Sequence, residues 1–186
     1  MNFEGKVFLG KRERGKTTRL FDIANRFLAL GKKVLVIDSA TDHEKKSILC
    51  WLKNRYPQES FIIGKCRKEE IIFPDFLSKE AFPSDEYLQA VPLYLCDASY
   101  YLERGYLFPE GNERENERLW YKKFAMQVAI RLLDKVDVIL LDEIELIPES
   151  RKVIESILNR HILFYMSLHE SDSIKGMEDL LTIETV

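Results

Sequence analysis

An α/β fold with a mostly parallel sheet is what this sequence predicts, and three observations predict it. Five short apolar runs, at Val7 to Leu9, Val34 to Asp38, Val138 to Asp142, Ile162 to Leu168 and Leu181 to Glu184, have the length of strands. Val138 to Leu141 is continuous rather than alternating, which is how a strand reads when both faces are covered. Helix-spaced apolar patterns separate most of the runs, as crossovers between parallel strands require.

The elements follow in order. Lys6-Val7-Phe8-Leu9 is a buried strand, and Thr17 to Leu30 carries Leu20, Ile23, Ala24, Phe27 and Leu28 at helical spacing. The next run, Val34 to Asp38, is a second strand. Ser39 to Tyr56 contains a helix around Ile48, Leu49 and Leu52 that Pro57 ends. Phe61-Ile62-Ile63, Ile71-Ile72-Phe73 and Val91 to Cys96 are short strands or buried turns, with Pro74, Pro83 and Pro92 breaking the region into pieces. Asn112 to Leu133 is one long helix leading into the Val138 strand. Arg151 to Asn159 fits a crossover helix through Val153, Ile154, Ile157 and Leu158, and Ser171 to Leu180 fits a short last crossover with Gly176 inside it. The hundred or so residues between Asp38 and Val138 exceed what one crossover needs. The expectation is one domain over residues 1–186 with an insertion at about 57–112.

Composition bounds the function. The chain has 186 residues, enough for one sizeable core, with 46% hydrophobic and 32% charged residues, as in an ordinary globular protein. No apolar run reaches the roughly 20 residues of a membrane helix, and no signal peptide is recognisable, so a cytoplasmic location without membrane attachment is expected. Cys50, Cys66 and Cys96 lack metal-ligand spacing and read as thiols in a reducing compartment. The net charge of −3 conceals +9 over residues 1–68 and −12 over residues 69–186. That basic third either attracts a polyanion, nucleotide or nucleic acid, or is a set of solvated faces. Ten aromatic residues lie between Phe82 and Phe124. They either build a small core for the insertion or, through Tyr100, Tyr101, Tyr106 and Phe108, stack on a base or a partner. Whether the chain binds DNA or a protein partner, and whether it forms a homo-oligomer, stays open.

The chemistry concentrates in two places. Gly10-Lys11-Arg12-Glu13-Arg14-Gly15-Lys16-Thr17 matches the phosphate-cradling pattern G-x-x-x-x-G-K-[ST] at every fixed position, between a strand and a helix. Loop amides and the helix N-terminus would surround phosphate oxygens with donors. Lys16 would reach the β and γ phosphates as a mobile point charge, Thr17 would complete the shell of a magnesium ion, and Thr18 would extend the helix beside the α phosphate. Arg12 and Arg14 either cover the phosphates or face water, and Lys11 is either a functional lysine or an exposed loop residue that adds positive potential. The second place is Val138-Ile139-Leu140-Leu141-Asp142-Glu143, a strand that delivers two acids at its carboxyl edge, where ligands of α/β sheets bind. Asp142 is the expected magnesium ligand and Glu143 the general base on water. Glu145 and Glu149 are expected to be helix caps or surface groups.

With these residues the chain resembles the P-loop NTPases that use an additional catalytic glutamate, the class of RecA-like, AAA and ABC-type proteins. The resemblance covers about half the chain. It implies a three-layer fold with a five-stranded sheet of order 5-1-4-3-2 and the insertion between the second and third core strands. It also implies a polar sensor of the γ phosphate at the tip of the fourth core strand. Here that tip is Ser167-Leu168-His169-Glu170-Ser171, so Ser167 or His169 is the implied sensor, His169 being similar to the switch histidine of ABC-type ATPases. No L-S-G-G-Q-like segment precedes Asp142. Gly10-Lys11 with Gly15-Lys16-Thr17-Thr18 also resembles the loop of ParA and MinD-type ATPases, as Gly31 to Asp38 resembles their second strand, but Arg12 and Glu13 replace that family's paired glycines. The function implied is a magnesium-dependent ATPase, ATP being favoured over GTP by the class and by the lack of an N-K-x-D motif. Two alternatives accompany it: a small-molecule or nucleoside kinase with Glu143 or Asp38 as base, and a nucleotide-gated DNA- or protein-binding module with little turnover.

Overall fold

The computed structural model describes residues 5–11, 14–38, 47–63, 86, 90–97, 132–146, 150–169 and 172–186. Seven strands form one sheet: β1 (Gly5–Leu9), β2 (Val34–Asp38), β3 (Ser60–Ile63), β4 (Leu93–Asp97), β5 (Val138–Asp142), β6 (Leu163–Leu168) and β7 (Thr182–Thr185). Their order is β3-β4-β2-β5-β6-β1-β7, and every pairing is parallel. The expected five strands are all present, and their order across the sheet, β7-β1-β6-β5-β2, is 5-1-4-3-2. The expected strand count is corrected to seven. Two short runs of the insertion, 60–63 and 93–97, add strands beyond β2, where β2's second edge supplies unpaired backbone groups for them.

Continuous apolar runs become doubly buried strands, as physics requires of the middle of a parallel sheet. All five residues of β2 and all five of β5 are buried. Alternate side chains then serve two cores. On one face Leu20 and Ala24 of α1 (Lys16–Ala29) and Ile48, Leu49 and Leu52 of α2 (Ile48–Arg55) pack with Phe8, Val34, Val36, Leu93, Leu95, Val138 and Leu140. On the other, Val153, Ile154 and Ile157 of α3 (Ser150–Arg160) pack with Val7, Leu35, Ile37, Ile139, Leu141, Phe164 and Met166. The outer strand β7 is largely exposed.

Helix α2 begins where Ser47 caps it, the hydroxyl accepting from the Leu49 amide at 3.1 Å and donating to Asp38 Oδ2 at 2.7 Å. It ends at Tyr56, before Pro57. The expected crossover helix from Ser171 to Leu180 is corrected to two 3-10 turns, Asp172–Ile174 and Glu178–Leu180. Gly176 stands between them with φ of 82°, a left-handed conformation that interrupts a helix. The long helix expected over Asn112 to Leu133 lies outside the described residues apart from its end, where Leu132 and Leu133 are buried. Ile71 to Phe73, Cys66 and, apart from Tyr94, the ten aromatics counted from Phe82 to Phe124 also lie outside them. Of the remaining cysteines, Cys96 is buried and Cys50 half-buried. No helix among the described residues is long and apolar enough to cross a membrane.

Candidate functional site

Strand order decides what can meet at the carboxyl edge of the sheet. β6 pairs with β1 on one side and β5 on the other, so the loop after β1 and the acids after β5 flank the tip of β6. Across a further strand, Asp38 lies in register opposite Asp142 and Asp97. Asp38 is fully buried and already bonded to Ser47.

The loop is pinned at both ends. Gly10 donates its N–H to Leu168 O at 3.1 Å, and a Cβ at Gly10 would stand 2.3 Å from the Val186 carbonyl oxygen, so only glycine fits beneath the end of β7. Gly15, the residue before α1, has φ of 77°, in the region where L-residues other than glycine are strained. A Cβ there would touch nothing, so the requirement is conformational rather than steric. Arg12 and Glu13 lie outside the described residues, and with them the question of whether large side chains suit that part of the loop. Lys11 and Arg14 are exposed, as is Thr18 on α1.

Lys16 closes its own loop. Its side chain is buried, and the ammonium donates to Gly10 O at 2.5 Å and to Lys11 O at 2.7 Å. An ammonium has three N–H donors, and two of them hold these carbonyls.

Thr17 lies near the end of the acidic strand, close enough for its hydroxyl to favour the ionised form of Asp142. Asp142 is buried, and Ser167 donates its hydroxyl to Asp142 Oδ1. Burial pushes the Asp142 carboxyl above its ordinary value of 3.8. The Ser167 and Thr17 hydroxyls oppose that rise, the negative charge of Glu145 adds to it, and Lys16 lowers it. Two hard oxygen donors, a hydroxyl and a desolvated carboxylate, therefore face each other beside a lysine. That donor set fits a magnesium ion, which takes one or two protein oxygens and completes its shell with water and phosphate.

Glu143 begins the turn after β5 with φ of 50°, a left-handed conformation for a residue with a Cβ. Its amide donates to Ser167 Oγ at 3.2 Å, so one serine fixes both acids. His169, just past β6, brings Nε2 to 3.6 Å from Glu143 Oε1. Its Nδ1 lies 2.5 Å from Glu145 Oε1, which also accepts the His169 backbone N–H at 2.9 Å.

The structure thus gathers Gly10, Gly15, Lys16, Thr17, Asp142, Glu143 and His169 at one edge of the sheet. It leaves Lys11, Arg14 and Thr18 facing outward. The expectation for Glu145 is corrected: it is no cap or free surface group but the partner of His169, because the 3-10 turn Ile144–Leu146 folds it toward the tip of β6. Glu149 lies outside the described residues. Ser167, one of two residues expected to sense a ligand, is 1% exposed and occupied in holding Asp142 and Glu143. No protein-family model matches this chain, and no curated protein matches it.

Proposed function

We propose that the chain is a magnesium-dependent ATP hydrolase whose triphosphate lies across the Gly10 to Thr18 loop. The observation that carries this reading is the nearness of Thr17 and Lys16 to Asp142, which brings the glycine-lysine-threonine loop to the acidic strand although 125 residues separate Thr17 from Asp142. The sheet order supports it too, since β6 stands between the loop strand and the acidic strand and brings Ser167 and His169 to the same place.

In this reading the loop amides and Lys16 bind the β and γ phosphates, Lys16 giving part of its carbonyl bonding over to phosphate oxygen. Thr17 and Asp142 would hold a magnesium ion, which would supply positive charge against the charge that builds on the phosphate oxygens. Glu143 orients a water and takes its proton as the water oxygen bonds to the γ phosphorus. The bond from that phosphorus to the β–γ bridging oxygen breaks, and ADP leaves with the electron pair. His169, beside Glu143, faces the departing phosphate. The basic side chains at Lys11 and Arg14 add positive potential at the mouth.

Wild type, Lys16→Ala and Glu143→Gln, compared for ATP affinity and phosphate release, test the reading. Lys16→Ala loses affinity, whereas Glu143→Gln keeps it and loses turnover. Equal turnover in all three overturns the mechanism. ADP formation that depends on an added acceptor makes the protein a kinase instead, and tight ATP binding without hydrolysis makes it a nucleotide-gated binding module.

A further inference from the structure

Glu145 has no task in the mechanism above, yet it is held at some cost. Its side chain is only 16% exposed, and Oε2 is buried without a hydrogen-bond partner among the described residues. A buried carboxylate oxygen with no donor is unfavourable, and this one lies close enough to Asp142 to disfavour that residue's charge as well. A neutral side chain at position 145 would avoid both penalties.

What Glu145 does hold is His169, at two points on one oxygen: the backbone N–H at 2.9 Å and ring Nδ1 at 2.5 Å. An ionised carboxylate only accepts, so Nδ1 carries the proton and the ring can neither flip nor swing. Nε2 is thereby turned to Glu143 Oε1 at 3.6 Å. The Glu143 backbone is itself fixed by Ser167. We propose that Glu145 is a positioning residue for hydrolysis: it clamps His169 so that Nε2 stays beside the Glu143 carboxylate at the γ-phosphate end of the site. This rests on the hydrolase reading, and it deepens it by making His169 and Glu145 one unit.

The test uses the full chain with magnesium ATP, measuring kcat and KM for wild type, Glu145→Ala, Glu145→Gln, His169→Gln and the double variant Glu145→Ala/His169→Gln. Glu145→Ala lowers kcat about 10- to 100-fold, the usual effect of losing a residue that orients a reacting group, with KM little changed. Glu145→Gln keeps an acceptor oxygen at the same place and restores most of kcat. The double variant is no slower than His169→Gln alone, because residues acting as a unit are not additive. Nitrogen NMR of the His169 ring gives a readout independent of turnover: the Nδ1–H form is fixed in wild type and Glu145→Gln and lost in Glu145→Ala. Wild-type kcat in Glu145→Ala, losses that multiply in the double variant, or ring signals indifferent to residue 145 overturn the proposal. A wild type that binds ATP but releases no phosphate strikes the hydrolase reading instead, and the ring signals then still decide whether Glu145 sets His169.

Discussion

Ser167→Ala removes one hydroxyl and disturbs both acids. In the folded protein that hydroxyl donates to Asp142 and accepts the Glu143 amide, and it is 1% exposed, so water cannot replace it. A hydrogen bond to a charged group contributes about 1.5–3 kcal/mol and a neutral one about 0.5–1.5 kcal/mol, so the expected loss where Asp142 is ionised is about 2–4 kcal/mol. For a chain of this size 1 kcal/mol moves Tm by about 2–4 °C, which places the variant roughly 5–15 °C below wild type. The loss depends on pH, and its sign follows from Asp142. Ser167 favours the ionised carboxylate, so removing it raises a carboxyl that burial already holds above 3.8. The gap between the two proteins is therefore largest where Asp142 is ionised and shrinks as acid protonates it in both. Urea denaturation at pH 5 and pH 8, with thermal melts alongside, measures this. Equal stability at both pH values would show that the serine does not hold the acids, and the geometry of the site would lose its central brace.

Other expectations follow from single residues. Gly15→Ala forces a methyl-bearing residue to φ of 77° and costs about 1–2 kcal/mol, while Gly15→Asn, which tolerates that region better, costs less, as urea midpoints show. Glu143→Gly relieves a left-handed residue and raises stability by about 1 kcal/mol while ending phosphate release, a trade between strain and function that melts and turnover assays read together. Asp142 contributes in the direction opposite to an ordinary paired carboxylate. Its folded value is raised, so the folded state holds the proton longer, and stability falls as pH climbs from about 3.8 through the raised value. Asp142→Asn removes that decline, making the metal-free protein more stable than wild type above the window, although magnesium no longer stabilises it. Leu20→Ala, at a fully buried position of α1, costs about 2–5 kcal/mol without changing the order of the site variants.

The core of the fold was legible because its strands are buried on both sides. Residues 34–37 and 138–141 had to be apolar throughout, each run closing on an aspartate, and strand-like runs separated by amphipathic segments have few arrangements. The two additional strands were visible as short runs, but which edge they join is settled by pairing with β2, a long-range event that local pattern does not encode. In sequence, Gly176 reads as a flaw in a helix. Its positive φ turns that flaw into a break. In the site, the meeting of Lys16, Thr17 and Asp142 at one sheet edge was legible, because a loop between strand and helix and an acid ending a parallel strand both fall at the carboxyl edge. Glu145 was not, because its partner is 24 residues away on the neighbouring strand. Its one local signal was the spacing Asp142-Glu143-x-Glu145, which sets it on the turn just beyond the strand.

Gly10 and Leu168 share a backbone hydrogen bond, and His169 is the very next residue. The start of the loop and the histidine are thus geared together through a single peptide group. In the proposed hydrolase, a displacement of the ring would reach Gly10 without passing through any side chain, and the same strand β1 is tied at its end to the residue after β7, where Val186 donates its amide to Leu9 O at 2.8 Å.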